Sequence, residues 1–418
     1  MRARGGATGV RDGSTSVRGG ATRLRGVWVI LAAIAVACGG RVGSRAAGSD
    51  GGAGGSSGGA DGSSGGTGSS GASSGGSGSD AGGSSSGGVT DGGEGDGDAG
   101  CDPSCAGTCA LGRCIVTLAT SQGHPVAMAL DDTSVYWTAL GSGCPASDGT
   151  VVRAPKDGSS APVVLASGLA SPQGIAVDGA NVYWAEQGCA GAGSDGGAIG
   201  RIAMVPQAGG AVTALATGVG SPTSVALAGG AVYWNDVAGT IDMVAVTGGT
   251  PTAVVRKQTN PGALAAAGGY LFWADQVVSA AGGVYAAALP VAPGTTSGVS
   301  VGAAGADPVT VVANDAGISW IATQGSGFTA SHVSSIGAPS AYYPNVDIDP
   351  PALAADDVNL YFIDPDGNGG TLASIPAAGG DVTQLADTVL HGLALAVDDT
   401  SVYWIEANGT TVMKATPK

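Results

Sequence analysis

From about residue 115 onward the sequence predicts an all-β fold, a β-propeller of seven four-stranded blades. Three observations predict it. The first is a phrase that recurs seven times around an aromatic: PVAMALDDTSVYWTA, PQGIAVDGANVYWAE, PTSVALAGGAVYWND, PGALAAAGGYLFWAD, PVTVVANDAGISWIA, PPALAADDVNLYFID and GLALAVDDTSVYWIE. Its anchors are Trp137, Trp184, Trp234, Trp273, Trp320, Phe362 and Trp404, a period that holds several short strands per unit. The second is composition. Only 11% of residues are charged and 79 are glycine, so strands joined by tight turns outweigh helices. The third is a circular fit. The last unit ends after its third strand, Thr410–Ala415, while Ile115–Ala119 reads as the missing fourth strand. Pairing the two removes the free edges of the ring. The irregular stretch Leu289–Pro344 leaves six blades plus an insertion as the alternative.

The chain begins with a basic leader holding Arg2, Arg4, Arg11, Arg18, Arg23 and Arg25. Val27–Ala37 is an apolar run too short to span a bilayer comfortably, and it suits the core of a signal peptide. It leads into Ala35-Val36-Ala37-Cys38, which resembles a bacterial lipobox with Ala35 in place of the usual Leu. The resemblance implies a signal peptide over residues 1–37, a lipidated Cys38, and an envelope lipoprotein at the outer membrane or cell surface. Simple secretion is the alternative.

Residues 38–100 are almost wholly Gly, Ser, Ala and Asp. Such a segment cannot bury enough apolar surface to offset its ordering entropy, so a disordered tether is expected. A Gly/Ser chain of this length spans roughly 40–47 Å on r.m.s. average. The whole chain carries a formal charge of −16. Removing the leader's six Arg and one Asp from 16 basic and 32 acidic residues leaves 10 and 31. That balance repels phosphate backbones and argues against a nucleic-acid partner.

Six cysteines follow Cys38. Four cluster in CDPSCAGTCALGRC, residues 101–114, and suggest a small disulfide-rich segment paired Cys101–Cys109 and Cys105–Cys114. Zinc is the competing reading, but no His is interleaved. Cys144 and Cys189 occupy matching places in successive units, so a bridge between neighbouring blades is expected.

The propeller, residues 115–418, parses into strands A to D, from the channel outward. In the second unit these are Gly174–Val177, Asn181–Glu186, a strand near Ile199–Val205, and Ala211–Ala216. The Tyr-Trp pairs read as blade-to-blade core. The Tyr-Trp-x-Asp/Glu phrase and the strand pattern resemble the YWTD family of extracellular propellers and the related NHL- and TolB-type propellers.

Two rings of residues are expected where the D–A and B–C loops gather at the channel mouth. The first, thirteen residues before each anchor, is entirely polar: His124, Ser171, Ser221, Asn260, Asp307, Asp349 and His391. These are the candidate ligand-binding residues. The second, two residues after each anchor, is Ala139, Glu186, Asp236, Asp275, Ala322, Asp364 and Glu406. The family resemblance implies that its acidic members brace strands. Turn oxygens that hold backbone N–H groups account for much of the first ring as well. His124 and His391 fall on adjacent blades once the ring closes. With Asp349 they are candidates for a divalent-metal site, or for acid–base chemistry like that of the propeller-fold streptogramin lyases. His332 reads as incidental. Asp364-Pro-Asp366-Gly-Asn368-Gly resembles the start of a calcium loop but lacks the distal Glu.

No His-Glu-x-x-His or P-loop signature occurs in the chain. The expectation is therefore a monomeric, non-enzymatic binding module without cofactor, tethered to the membrane by lipid alone and recognising an envelope protein or glycan. A propeller lyase or hydrolase and a purely structural lipoprotein are the alternatives.

Overall fold

A computed structural model of the chain describes residues 101–418, apart from 102, 190–198, 237, 277–281, 297, 302–306, 325–326, 337–340, 347–351, 365–369, 388, 390–391 and 407–409. The leader, the lipobox Cys38 and the tether lie outside the described residues.

Seven antiparallel sheets form seven blades. Their innermost strands are Pro125–Leu130, Pro172–Val177, Val225–Ala228, Pro261–Ala267, Asp307–Asn314, Leu353–Ala355 and Gly392–Val397. Each contacts the next, and the last contacts the first, so the ring is closed. The six-blade alternative is excluded, because the irregular stretch completes two blades. Blade 4 ends in the two-residue outer strand Val299–Ser300, and blade 5 runs from Asp307–Asn314 out to Ala341–Val346.

In blade 2 the strands are Pro172–Val177, Asn181–Glu186, Gly200–Pro206 and Thr213–Val219. The outer strand lies about two residues later than its sequence pattern suggests. Small residues on the inner strands permit close approach between blades. A Cβ on Gly174 would lie 2.9 Å from both the Ser224 Cα and the Thr223 carbonyl oxygen of blade 3.

Closure is as expected. Arg113–Ala119 pairs antiparallel with Thr411–Thr416, from Cys114 opposite Thr416 to Ala119 opposite Val412. A fifth strand, Thr108–Ala110, caps this blade's edge and was not foreseen. All three disulfides form as read: Cys101–Cys109, Cys105–Cys114 and Cys144–Cys189. The first two staple the hairpin that ends in the closure strand.

The anchors are interblade core. Trp137, Trp184, Trp234, Trp273, Trp404 and Phe362 are at most 1% exposed, and Trp320 is 5% exposed. Apolar clusters cross every blade boundary; that at the seam joins Leu118, Met128, Trp137, Tyr403, Ile405 and Val412. In four blades the Tyr before the anchor is pinned by the Asp that ends strand A. Tyr136 donates to Asp131, Tyr183 to Asp178, Tyr361 to Asp356 and Tyr403 to Asp398, at 2.6–2.9 Å. The same carboxylates accept backbone N–H groups of their own turns. Blades 3 and 4 instead use Gly229-Gly230 and Gly268-Gly269, all with positive φ, the conformation of a tight hairpin turn.

A polar latch crosses the seam on the A–B face. Lys156 of blade 1 pairs with Asp398 of blade 7 at 2.8 Å, and Lys418 pairs with Asp356 of blade 6 at 2.6 Å. Lys414 donates to the Lys156 carbonyl, and Lys156 and Lys414 both approach the Tyr403 ring. Burial opposes ionisation of Asp398, but hydrogen bonds from Lys156, the Thr400 N–H and Tyr403, with the Lys156 charge, outweigh it and bring its pKa down to about 2. An unfolded Asp titrates near 3.9. This carboxylate therefore adds stability above about pH 4 that is lost as pH falls towards 2. Asp398→Asn should flatten the fall in melting temperature between pH 4 and pH 2, measured by calorimetry.

Candidate functional site

The D–A and B–C loops share one end of the propeller, as expected. The carbonyls of His124, Ser171 and Asn260 accept backbone N–H groups from Leu140, Gln187 and Gln276, which follow strand B of the same blade. His124 and Ser171 hold left-handed backbones, with φ of 62° and 56°. These first-ring positions are therefore turn residues as well as loop-face residues. His124 and Asn260 are exposed, and Ser171 and Ser221 are half-buried. Asp307 begins the inner strand of blade 5. Asp349 and His391 lie outside the described residues, and so does most of the calcium-like run after Asp364. Among the described residues no three His, Cys, Asp or Glu side chains stand together as metal ligands.

The acidic ring caps the first ring from beneath. Glu186 accepts the Ala170 N–H, Asp236 the Gly220 N–H, and Asp275 the N–H groups of Thr259 and Asn260. In each case the carboxylate holds the residue just before a first-ring position. Glu186, 3% exposed, also accepts from the Trp184 indole at 2.8 Å and pairs with Arg201 at 2.7 Å. Glu406 accepts from Thr411. These carboxylates are structural braces, and their charge is committed inward.

One carboxylate nearby is perturbed. Burial, helped by the neighbouring Asp236 charge, raises the pKa of Asp242 in blade 3, against a 2.6 Å bond from Thr240 and the Arg256 charge.

Neutral polar groups stand around these loops, from buried Gln173 and Asn235 to half-buried Gln187 and Gln276 and exposed Asn260, and the sequence reading missed several of them. Gln173 donates to Ser171 and to Gln187 at 3.3 Å, and Asn260 donates to Gln276 at 3.1 Å. Between them in blade 3, Asn235 bonds the Thr223 hydroxyl and reaches the Pro261 carbonyl of blade 4. The signal was present in the sequence: Gln187 and Gln276 each stand three residues after an anchor. The Cys144–Cys189 bridge joins the B–C loops of blades 1 and 2 on the same face. Chemically, this surface offers carboxamides and hydroxyls on a rigid frame. It suits neutral hydrogen-bonding ligands better than proton transfer.

No protein-family model matches the chain, and no curated protein does. Solved structures do. The chain is similar to the WD40 β-propeller domain of Doa1, with 12% identity over 73% of this chain and 97% of that one and a TM-score of 0.52. It is also similar to a Mycobacterium tuberculosis puromycin-hydrolyzing peptidase, with 14% identity over 69% of this chain and a TM-score of 0.51; the match spans 49% of the peptidase. At such identities the likeness shows the fold alone, and that fold is the β-propeller.

Proposed function

We propose that the chain is a surface-tethered, non-enzymatic binding module of the cell envelope, whose D–A and B–C loop face recognises an envelope protein or glycan. One observation carries the reading. The acidic groups at that face are occupied by backbone donors, while the groups nearest its surface are uncharged: exposed Asn260 and half-buried Ser171, Gln187 and Gln276. Rigid blades hold this layer in place, which lowers the entropy cost of binding. The lipobox at Cys38 and the Gly/Ser tether supply the anchorage in this reading.

The test is a pull-down from envelope extract with the full chain as bait, alongside metal analysis of the same sample. The expected result is a retained partner, lost when Gln187, Asn260 and Gln276 are all changed to Ala and kept when His124 is changed to Ala. Stoichiometric transition metal with no retained partner would overturn it.

A further inference from the structure

Away from the loop face, between blades 5 and 6, lies a cleft of about 500 Å³ that owes nothing to the reading above. Its size falls within the range of small-molecule sites. His332, 9% exposed, lines it, with Ser334, Asp357, Val358, Pro376 and Ala377. Its position follows from strand pairing. His332 lies opposite Ser319 in the sheet of blade 5, and the Ser319 hydroxyl meets its Nδ1 at 2.9 Å. That bond fixes the ring and leaves Nε2 as its remaining polar atom. Burial lowers the His332 pKa, so the imidazole is neutral at pH 7. In the tautomer that donates from Nδ1 to the Ser319 hydroxyl, Nε2 is an acceptor, and it is this tautomer that the proposal requires.

The mouth of the cleft is negative. Asp357 is exposed, and beyond the effect of burial its acidity is weakened by the charges of Asp356, Asp315 and Asp399, against Lys418. A field that disfavours another negative charge favours a cation. The other wall is apolar, formed by exposed Val358 with Pro376 and Ala377. An adjoining cleft of about 310 Å³, bounded by Tyr270 and Phe272, shares Ser334 and extends the apolar surface.

We propose that this cleft binds a small organic amine, its ammonium held by Asp357, the His332 Nε2 and the Ser334 hydroxyl, and its apolar body laid against Val358, Pro376 and Ala377. An ammonium supplies three donors to match those three acceptors, and the carboxylate bond is charge-assisted. A metal ion fits less well, because the described residues give it only one imidazole and one carboxylate.

The chain has three His, so its imidazole NMR signals are few enough to follow individually. The full chain is titrated at pH 7.5 with 2-phenylethylamine, with 2-phenylethanol and with zinc chloride. The His332 signal is identified by His332→Asn or, should that variant fail to fold, by the chemical shifts of a buried Nδ1–H tautomer. The amine should shift this signal saturably, and the alcohol should bind at least about tenfold more weakly, the loss of one charge-assisted bond. Asp357→Asn, at an exposed site, should weaken the amine by a similar factor while the melting temperature holds. Equal response to amine and alcohol, no response to either, a response to zinc alone, or an Asp357→Asn chain that binds the amine normally would each overturn the proposal.

Discussion

A chain that starts at Thr120 should unfold or self-associate under conditions where one starting at Cys101 melts as a single cooperative unit. The two differ by the stapled hairpin and the closure strand Arg113–Ala119, which forms the register with Thr411–Thr416. Without it, Thr411–Thr416 becomes an open edge whose N–H and C=O groups are a template for other chains. Leu118 and Ala119 also leave the seam cluster, and Val412, paired with Ala119, loses its neighbour. Several ladder hydrogen bonds at about 1 kcal/mol each, plus the apolar burial, make the loss of order 5 kcal/mol. That is comparable to the total stability of many domains. Circular dichroism melting with size-exclusion chromatography checks it. Equal melting temperatures and a monomeric peak for both chains would show that the closure strand is dispensable.

Trp184→Ala should lower the unfolding free energy by about 3–5 kcal/mol, read from urea denaturation. Trp184 is fully buried in an apolar cluster that includes Ala129, Tyr136 and Val151 of blade 1, so its loss opens a cavity at a blade boundary. It also supplies one of the donors that satisfy the buried Glu186. Phenylalanine substitutions separate the two effects. The Trp404 indole N–H has no protein partner among the described residues. Trp404→Phe should therefore cost less than Trp184→Phe, which leaves Glu186 short of a hydrogen bond. The reverse order would mean that the Trp184–Glu186 bond contributes nothing.

What the sequence made legible was the periodic part. The anchors and the small, branched inner strands repeat because each blade solves the same packing problem, so seven units and a circular closure could be read from spacing alone. The disulfides were legible for a related reason, since Cys144 and Cys189 sit at matching points of adjacent repeats. The brace role of Glu186, Asp236 and Asp275 followed from the family resemblance. The Asp-to-Tyr clamp at a spacing of five was equally visible in four units and was passed over. Less legible was whatever depends on one pair of blades. The strand Thr108–Ala110 breaks the four-strand rule, and nothing periodic announces it. The outer strand of blade 2 slips because strand D packs on only one side and its pattern is weak. His332 read as incidental because it lies in an irregular stretch. Its setting comes from pairing with Ser319 and from the turn of the next blade, neither of which spacing encodes. The first ring was placed correctly on the loop face at His124, Ser171 and Asn260, but its chemistry depends on partners three residues past each anchor.

The most direct test of the circular closure is hydrogen–deuterium exchange on the full chain, comparing the amides of Ile115–Ala119 and Val412–Ala415 with those of the other outer and third strands. A closed ring predicts that both strands are protected and lose protection together, in the same step as the rest of the propeller. Rapid exchange across Ile115–Ala119 while the inner strands stay protected would contradict it, because the last blade would then stand open at its edge.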